Sequence, residues 1–499
     1  MTTIVLPEAA PQISQGRCRS SSPLLVLLGV VLFGVFWSPA FFVPFWQDDY
    51  TFLLDARQAA QEGRPWFSSF SADSPVCFWR PVSVGVYWRF VEQVLAGNVL
   101  AAHVANLLLL LAATVSVGWL TAAFLRIRLP DADAAFGGLL AGFLYGIHGA
   151  HLLTVAWVAG AQESFVVLFC ALALRFWLIA ATTAGRRGNL AGTAVLACTA
   201  LALLSKETAV VLPALEVVLI LWIWPTHKPS RRIWLLMAMS IGLTGFWWFL
   251  HGQLTLPPPA PYRMTLGLNI PRNALSLGLF SMNVPRESLR GMLVDRSIGA
   301  ALWATACFVL QAVGCVLLLR GARIGRWDLL LLTAFAVVGL APHLFLAWNC
   351  YEYYTSIALV GYALAVGMAA CTTKFMRTAV LLLIAAAAIS VDGNFLLDQP
   401  SLFARARWGQ RQLEQIQSMR DANPEAFQGP IYARVEDDRK FQSFGVAGLA
   451  YTLNRRAEDI VVLGPDAPVP EAGCCMIVVP DEGDVRVKTH LDKKGRGPR

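Results

Sequence analysis

Between Pro23 and Phe45 only Ser38 interrupts an otherwise apolar run, and the run has no polar stripe. Runs of about 18 or more such residues recur along most of the chain, long enough to cross a bilayer as helices. The pattern predicts about eleven spans, near 23–45, 99–125, 134–149, 161–183, 190–204, 208–224, 233–251, 298–319, 328–348, 354–371 and 376–392. Residues 80–96 are a further candidate for a membrane-embedded helix. Two long connections, 46–98 and 252–297, are rich in aromatics, Pro and Arg. Trp66, Phe67, Phe70, Phe78 and Trp79 in the first of them predict helices lying at the membrane interface.

From about Leu402 the pattern changes. Arg405 to Arg420 predicts a polar helix and Val446–Leu453 a shorter one. Ile460–Leu463 and Met476–Val479 are short apolar runs bounded by Gly and Pro, which predict strands. The expected organisation is a tail over 1–22, a membrane domain over 23–400, a small α/β domain over 401–490 and a basic tail over 491–499. The fold class is therefore an all-α polytopic membrane bundle with a small C-terminal α/β domain. No repeat of tetratricopeptide type stands out.

Composition agrees with this pattern. The chain is 56% hydrophobic and 14% charged, where a soluble protein carries about a quarter charged residues. The net charge of +8 is explained by loops. Arg17/Arg19, Arg126/Arg128, Arg186/Arg187, Lys228/Arg231/Arg232, Arg320/Arg323/Arg326 and Lys374/Arg377 occupy alternate connections, which the positive-inside rule makes cytoplasmic. The N-terminus is then cytoplasmic, and 46–98, 252–297 and everything after about 393 lie outside. The first run has no clear cleavage site and is expected to be retained. Ten cysteines include no CxxC pair, and about half lie in apolar runs. Cys77 and Cys350 fall on one side and are a candidate disulfide.

The chemistry-bearing residues break the apolar pattern. Asp48 and Asp49 follow the first span, where charge is costly, and are candidates for a general base; the alternative is a pair that merely ends the span. Arg80, just before Pro81, is placed to hold an anion or to snorkel to the headgroups. His148 and His151 lie near one face if helical, with Glu163 following. With Asp48 they are the candidate ligands should a divalent metal bind, and otherwise satisfy polar groups inside the bundle. Lys206 breaks the positive-inside pattern and suits a lipid-linked phosphate, or else pairs locally with Glu207 or an Asp. Tyr262, Arg263, Tyr351 and Tyr353 are candidates to line a sugar or phosphate pocket, or belong to an interfacial tyrosine belt. No Walker loop, GxSxG or dinucleotide fingerprint is present, which excludes the usual nucleotide-driven pump and α/β-hydrolase.

The ordered set resembles a known family. It comprises the acidic pair, Arg80-Pro81-x-Ser83, His103-x-x-Asn106, His148-x-x-His151 running into Val155–Gly160, and Leu204-Ser205-Lys206-Glu207-x-Ala209 with Pro213. It is similar to the GT-C superfamily of integral-membrane glycosyltransferases, and within it to protein O-mannosyltransferase-type members, including the transmembrane-and-TPR O-mannosyltransferases. The likeness covers roughly 40–215 well and the later spans loosely. The TPR array is absent, and Gly149 stands where the family has Pro.

The resemblance implies a polyprenyl- or dolichyl-phosphate-linked sugar donor and transfer on the non-cytoplasmic face. One of Asp48 and Asp49 would be the base, with Asp49 slightly preferred. Arg80, His148, His151, Glu163, Lys206, Glu207, Arg263, Tyr262, Tyr351 and Tyr353 would bind substrate. No metal is required, the acceptor is a glycan, lipid or protein, and nucleic acid is no partner. A bacterial inner membrane is the expected location. Two other readings stand beside this one: a transporter or flippase of lipid-linked sugars, and a catalytically silent scaffold.

Overall fold

Asn98 accepts a hydrogen bond from the Ala101 amide and so starts the longest helix, Val99–Arg128. Its 30 residues rise about 45 Å, more than a bilayer's hydrocarbon core. It packs closely on Ala134–Gly146, because glycines stand at the crossing. A Cβ added to Gly138 would lie 2.6 Å from the Gly118 carbonyl oxygen, so only glycine lets the two backbones approach.

The computed structural model describes residues 23–71, 78–258, 260–320, 322, 324–347, 350–396, 402–468, 474–480 and 483–490. The 1–22 and 491–499 tails and Cys77 lie outside them. Among the described residues, six helices are long and apolar enough to cross a membrane: Pro23–Phe42, Val99–Arg128, Val158–Thr182, Arg231–Leu254, Ile298–Leu319 and Arg326–Leu344. Ala134–Gly146 and Gly149–Ala156, bent by 52°, make a seventh if they form one broken span. The chain is an integral membrane protein.

The remaining segments expected to span are helical, and two of them open irregularly. Residues 208–224 open as a 3₁₀ turn, Glu207–Val211, before Leu212–Ile223. Residues 354–371 likewise open on the turn Glu352–Thr355 and continue as Ala358–Ala370. Gly185–Leu203 and Met376–Leu396 account for the remaining two.

The connection over 46–98 is largely helical. Asp48–Gln61 is followed by the turn Trp66–Phe70 and by a helix over 81–94. Pro81 sits in that helix's first turn, where its missing N–H costs nothing. The helix has π-type winding over Pro81–Val86 and Phe90–Val94. The 252–297 connection carries Asn269–Ser281 and Arg286–Leu293.

The C-terminal region begins with the helix Leu402–Ala422. Strands β1 (Ile431–Val435), β2 (Ile460–Leu463), β3 (Cys474–Val479) and β4 (Arg486–His490) form one sheet in the order β2-β1-β3-β4. Strand β1 is parallel to both neighbours, with Ala433 opposite Val462 and Ile477, and β4 is antiparallel to β3. The expected strands are β2 and β3. β1 and β4 escaped notice because β1 mixes Tyr432 and Arg434 into five residues and β4 is mostly polar.

This region shares an apolar interior with the first connection. Phe45, Leu53, Trp88 and Val91 belong to the same buried cluster as Ile416, Phe444, Leu449 and Leu453. Polar contacts fix the join. Arg57 Nε donates to Glu92 at 2.8 Å and its Nη1 to the Tyr451 carbonyl at 3.0 Å, while Tyr451 donates back to Glu92 at 2.8 Å.

Gly138→Val should force the long helix away from Ala134–Gly146 and lower stability by about 1–3 kcal/mol. Thermal unfolding of the detergent-solubilised protein, followed by size-exclusion recovery, measures it; an unchanged midpoint would contradict the packing described.

Candidate active site

The two adjacent carboxylates do different things. Trp46 to Asp49 form a tight turn in which the Asp49 amide donates to the Trp46 carbonyl at 3.2 Å. Gln47 in this turn has φ 51° and ψ −119°, a conformation usually left to glycine. It costs a non-glycine residue about 1–3 kcal/mol and persists only where the surroundings hold it. Asp49 helps to hold it. It has no exposed surface, and its carboxylate accepts the Trp46 amide at 3.1 Å and the Ala159 amide at 2.7 Å. Asp49 thereby ties the start of the Asp48–Gln61 helix to the turn Val158–Gly160.

Asp48 instead lines a cavity of about 690 Å³ and makes no hydrogen bond or ion pair among the described residues. Its surface is exposed to the cavity, although protein surrounds the site. Burial raises its pKa above the ordinary carboxylate value, and the positive charge of Arg80 opposes that rise.

Arg80 lies at the head of the 81–94 helix. The Val82 amide donates to the Leu204 carbonyl at 3.1 Å and the Ser83 hydroxyl donates to the Ser205 carbonyl, which splices this helix start to the 204–207 turn. Across that splice Arg80 clasps Glu207, with Nε donating at 2.9 Å and Nη2 at 2.6 Å, and Nη1 donates to Gln162. The Glu207 carboxyl is half-buried, and Arg80 holds its pKa below the usual value. Lys206 pairs with Glu163, from the first turn of Ala161–Thr182, and its ammonium lies 5.3 Å from the ring centres of both Tyr353 and Tyr354. The local Lys206–Glu207 pair considered from sequence is thus replaced by two pairs between elements. The four charges balance, and Asp48 is left as the odd carboxylate.

The rest of the cavity is mainly apolar. Trp157, Val211, Trp248, Leu256, Met264 and Phe345 are among its walls. Tyr262 and Tyr353 line it, Tyr262 with its ring 5.6 Å from that of Phe78. Arg263 is exposed and lies outside the lining, as does Tyr351, which stacks on Tyr353 at 5.3 Å beneath Arg286.

His148 and His151 are also elsewhere. His148 Nε2 faces the Ser281 carbonyl at 3.2 Å and its Nδ1 accepts the Ala150 amide, while the His151 ring lies 4.6 Å from that of Tyr145. Both are buried in the bundle interior and lie outside the cavity lining. Among the described residues no group of three or more His, Cys, Asp or Glu is gathered to hold a metal ion. His251 and His343 also line the cavity and were not singled out from sequence. Their signal was available, since each is an ionisable side chain within an apolar run.

No protein-family model matches the sequence, and the comparison with curated proteins finds no match. Solved structures do match. The crystal structure of ArnT from Cupriavidus metallidurans in the apo state is 14% identical, with a TM-score of 0.52 over 93% of this chain and 94% of that one. The structure of the same protein bound to undecaprenyl phosphate is 14% identical, with a TM-score of 0.51 over 92% and 94%. The likeness therefore extends over nearly the whole chain, where the motif resemblance was good only over 40–215, and the fold is a GT-C-like membrane bundle. The matched structures are of ArnT, not of protein O-mannosyltransferases.

Breaking the buried Lys206–Glu163 pair should cost about 3–5 kcal/mol in either Lys206→Met or Glu163→Gln, because each leaves an uncompensated charge. The double variant should recover most of that loss. A double-mutant cycle of thermal unfolding in detergent reads the coupling, and strictly additive losses would show that the pair is not formed.

Proposed function

We propose that this protein is a membrane glycosyltransferase that moves a sugar from a polyprenyl-phosphate donor to an acceptor hydroxyl. The observation that carries this reading is Asp48, a carboxylate without a hydrogen-bond partner facing a largely apolar cavity beside the paired cations Arg80 and Lys206. An apolar wall suits a prenyl chain, and cations suit its phosphate. The shared fold with ArnT, one structure of which is described as bound to undecaprenyl phosphate, supports the same donor class. The alternating loop charges support a site on the non-cytoplasmic face of the membrane.

In this reading Asp48, rather than the sequence-preferred Asp49, is the base, because both Asp49 oxygens already accept backbone amides. Asp48 takes the proton of the acceptor hydroxyl as that oxygen attacks the anomeric carbon. The bond from that carbon to the phosphate oxygen breaks, its electron pair stays on the phosphate, and the anomeric configuration inverts. Arg80 and Lys206 stabilise the growing phosphate charge. Each has N–H groups to spare beyond its bonds to Glu207, Gln162 and Glu163, so neither pair must open completely. The residues present complete this scheme without a metal.

Release of polyprenyl phosphate from synthetic undecaprenyl-phosphate hexoses and pentoses, with envelope extract as acceptor, tests the reading. Asp48→Asn should lower turnover by about 10²–10⁴-fold while undecaprenyl phosphate binding survives. Full turnover by that variant would refute the assignment. A flippase would give no release from detergent-solubilised protein.

The pH dependence is a second check. Asp48 must be ionised to act, so the rate should rise with pH through an Asp48 pKa above the ordinary carboxylate value. Arg80→Gln removes the charge that holds this pKa down, so the acid limb should move to higher pH, whereas Arg80→Lys should restore it. A limb that stays in place in both variants would mean that another group titrates.

A further inference from the structure

We infer that the C-terminal domain is a positioning device for Asp48, acting through the hydrogen bond from the Gln47 amide to the Ser443 carbonyl, 2.9 Å long. This rests on the reading of Asp48 as the base. Gln47 immediately precedes Asp48 and holds a backbone conformation, φ 51°, that an L-residue leaves unless several contacts forbid it. Two of those contacts are internal to the turn: the Asp49 amide on the Trp46 carbonyl, and the Trp46 amide on the Asp49 carboxylate. The bond to Ser443 comes from a residue nearly 400 positions away.

Ser443 is itself held firmly. Its amide and its hydroxyl both donate to the Lys440 carbonyl, at 3.0 and 2.7 Å. The next residue, Phe444, is buried in the apolar cluster shared by the two regions. A Cβ added to Gly409 would stand 2.4 Å from the Ser443 hydroxyl oxygen and 3.1 Å from its Cβ, so the Leu402–Ala422 helix presses directly on this residue. Tyr50, two residues past Asp48, donates to Gln410 at 3.0 Å on that same helix. Arg57, one face further along, carries the contact with Glu92 and Tyr451.

The helix that begins at Asp48 is therefore gripped by the C-terminal domain along its length, and its strained entrance is gripped as well. Loss of the grip lets Gln47 relax to negative φ, which turns the following peptide and carries the Asp48 carboxylate away from the cavity. Ser443 and Gln47 are positioning residues in this scheme and need touch no substrate. A misplacement of about 1 Å is enough to cost roughly 10²-fold in rate.

The test uses the full chain in nanodiscs and the donor-turnover assay described above. Arg57→Ala and Gly409→Ala should each speed hydrogen exchange at the Gln47 amide. Each should also lower kcat by about 10–100-fold with the donor KM within about twofold of the parent. Gln47→Gly, which accepts φ 51° without strain, should return kcat to within about threefold of the parent when added to either variant.

Faster exchange at Gln47 with kcat unchanged would overturn the inference. So would kcat and undecaprenyl phosphate binding falling together, or a Gln47→Gly addition that restores nothing. Asp48→Asn separates the two failures. If that variant turns over normally, the base assignment is wrong; if it is inactive while the docking variants keep full kcat, only the positioning role is wrong.

Discussion

A carboxylate cut off from water needs donors on its oxygens, and Asp49 obtains them from two backbone amides in different parts of the chain. That requirement organises the neighbourhood. The Trp46 amide draws the end of the first span into a turn, and the Ala159 amide holds this turn against the entrance of the Ala161–Thr182 helix. Glu163 stands in that helix's first turn, so the same bond sets the distance between the acidic turn and the Lys206 pair. Asp48 owes its freedom to its neighbour: one member of the pair satisfies the backbone, and the other is left facing the cavity.

The same accounting explains the pairing of the cations. In an apolar wall an unpaired guanidinium or ammonium is expensive, and each of these two meets a carboxylate supplied by another element. Arg80 meets Glu207 across the splice between the 81–94 helix and the 204–207 turn, and Lys206 meets Glu163 on the neighbouring helix. Charge neutrality is thereby reached locally. Under the proposed function, a donor phosphate would meet cations already oriented by their partners, a form of preorganisation.

Much of this was legible from residues that contradict their surroundings. Asp48, Arg80 and Lys206 stand out as charges at the ends of apolar runs, and the structure gathers them around one cavity with Glu163, Glu207, Tyr262 and Tyr353. Their partners were not legible, because Lys206 and Glu163 are brought together by helix packing and by no local spacing. His148 and His151 show the limit of the signal: a polar residue in an apolar run announces burial, but not which interior it enters. The C-terminal strands divide in the same way. β2 and β3 contain uninterrupted apolar runs, whereas β1 alternates and β4 is a polar edge.

The apolar interior shared by Phe45, Trp88, Ile416 and Phe444 has a consequence for how such a protein diversifies. Residues on both sides of that interior shape one another's packing, so the first long connection and the C-terminal region form a single unit of inheritance although most of the membrane bundle separates them in the gene. A C-terminal region exchanged alone between relatives would arrive with a mismatched half-core. Changes in this shared interior are accordingly expected as paired substitutions, one early in the chain and one late.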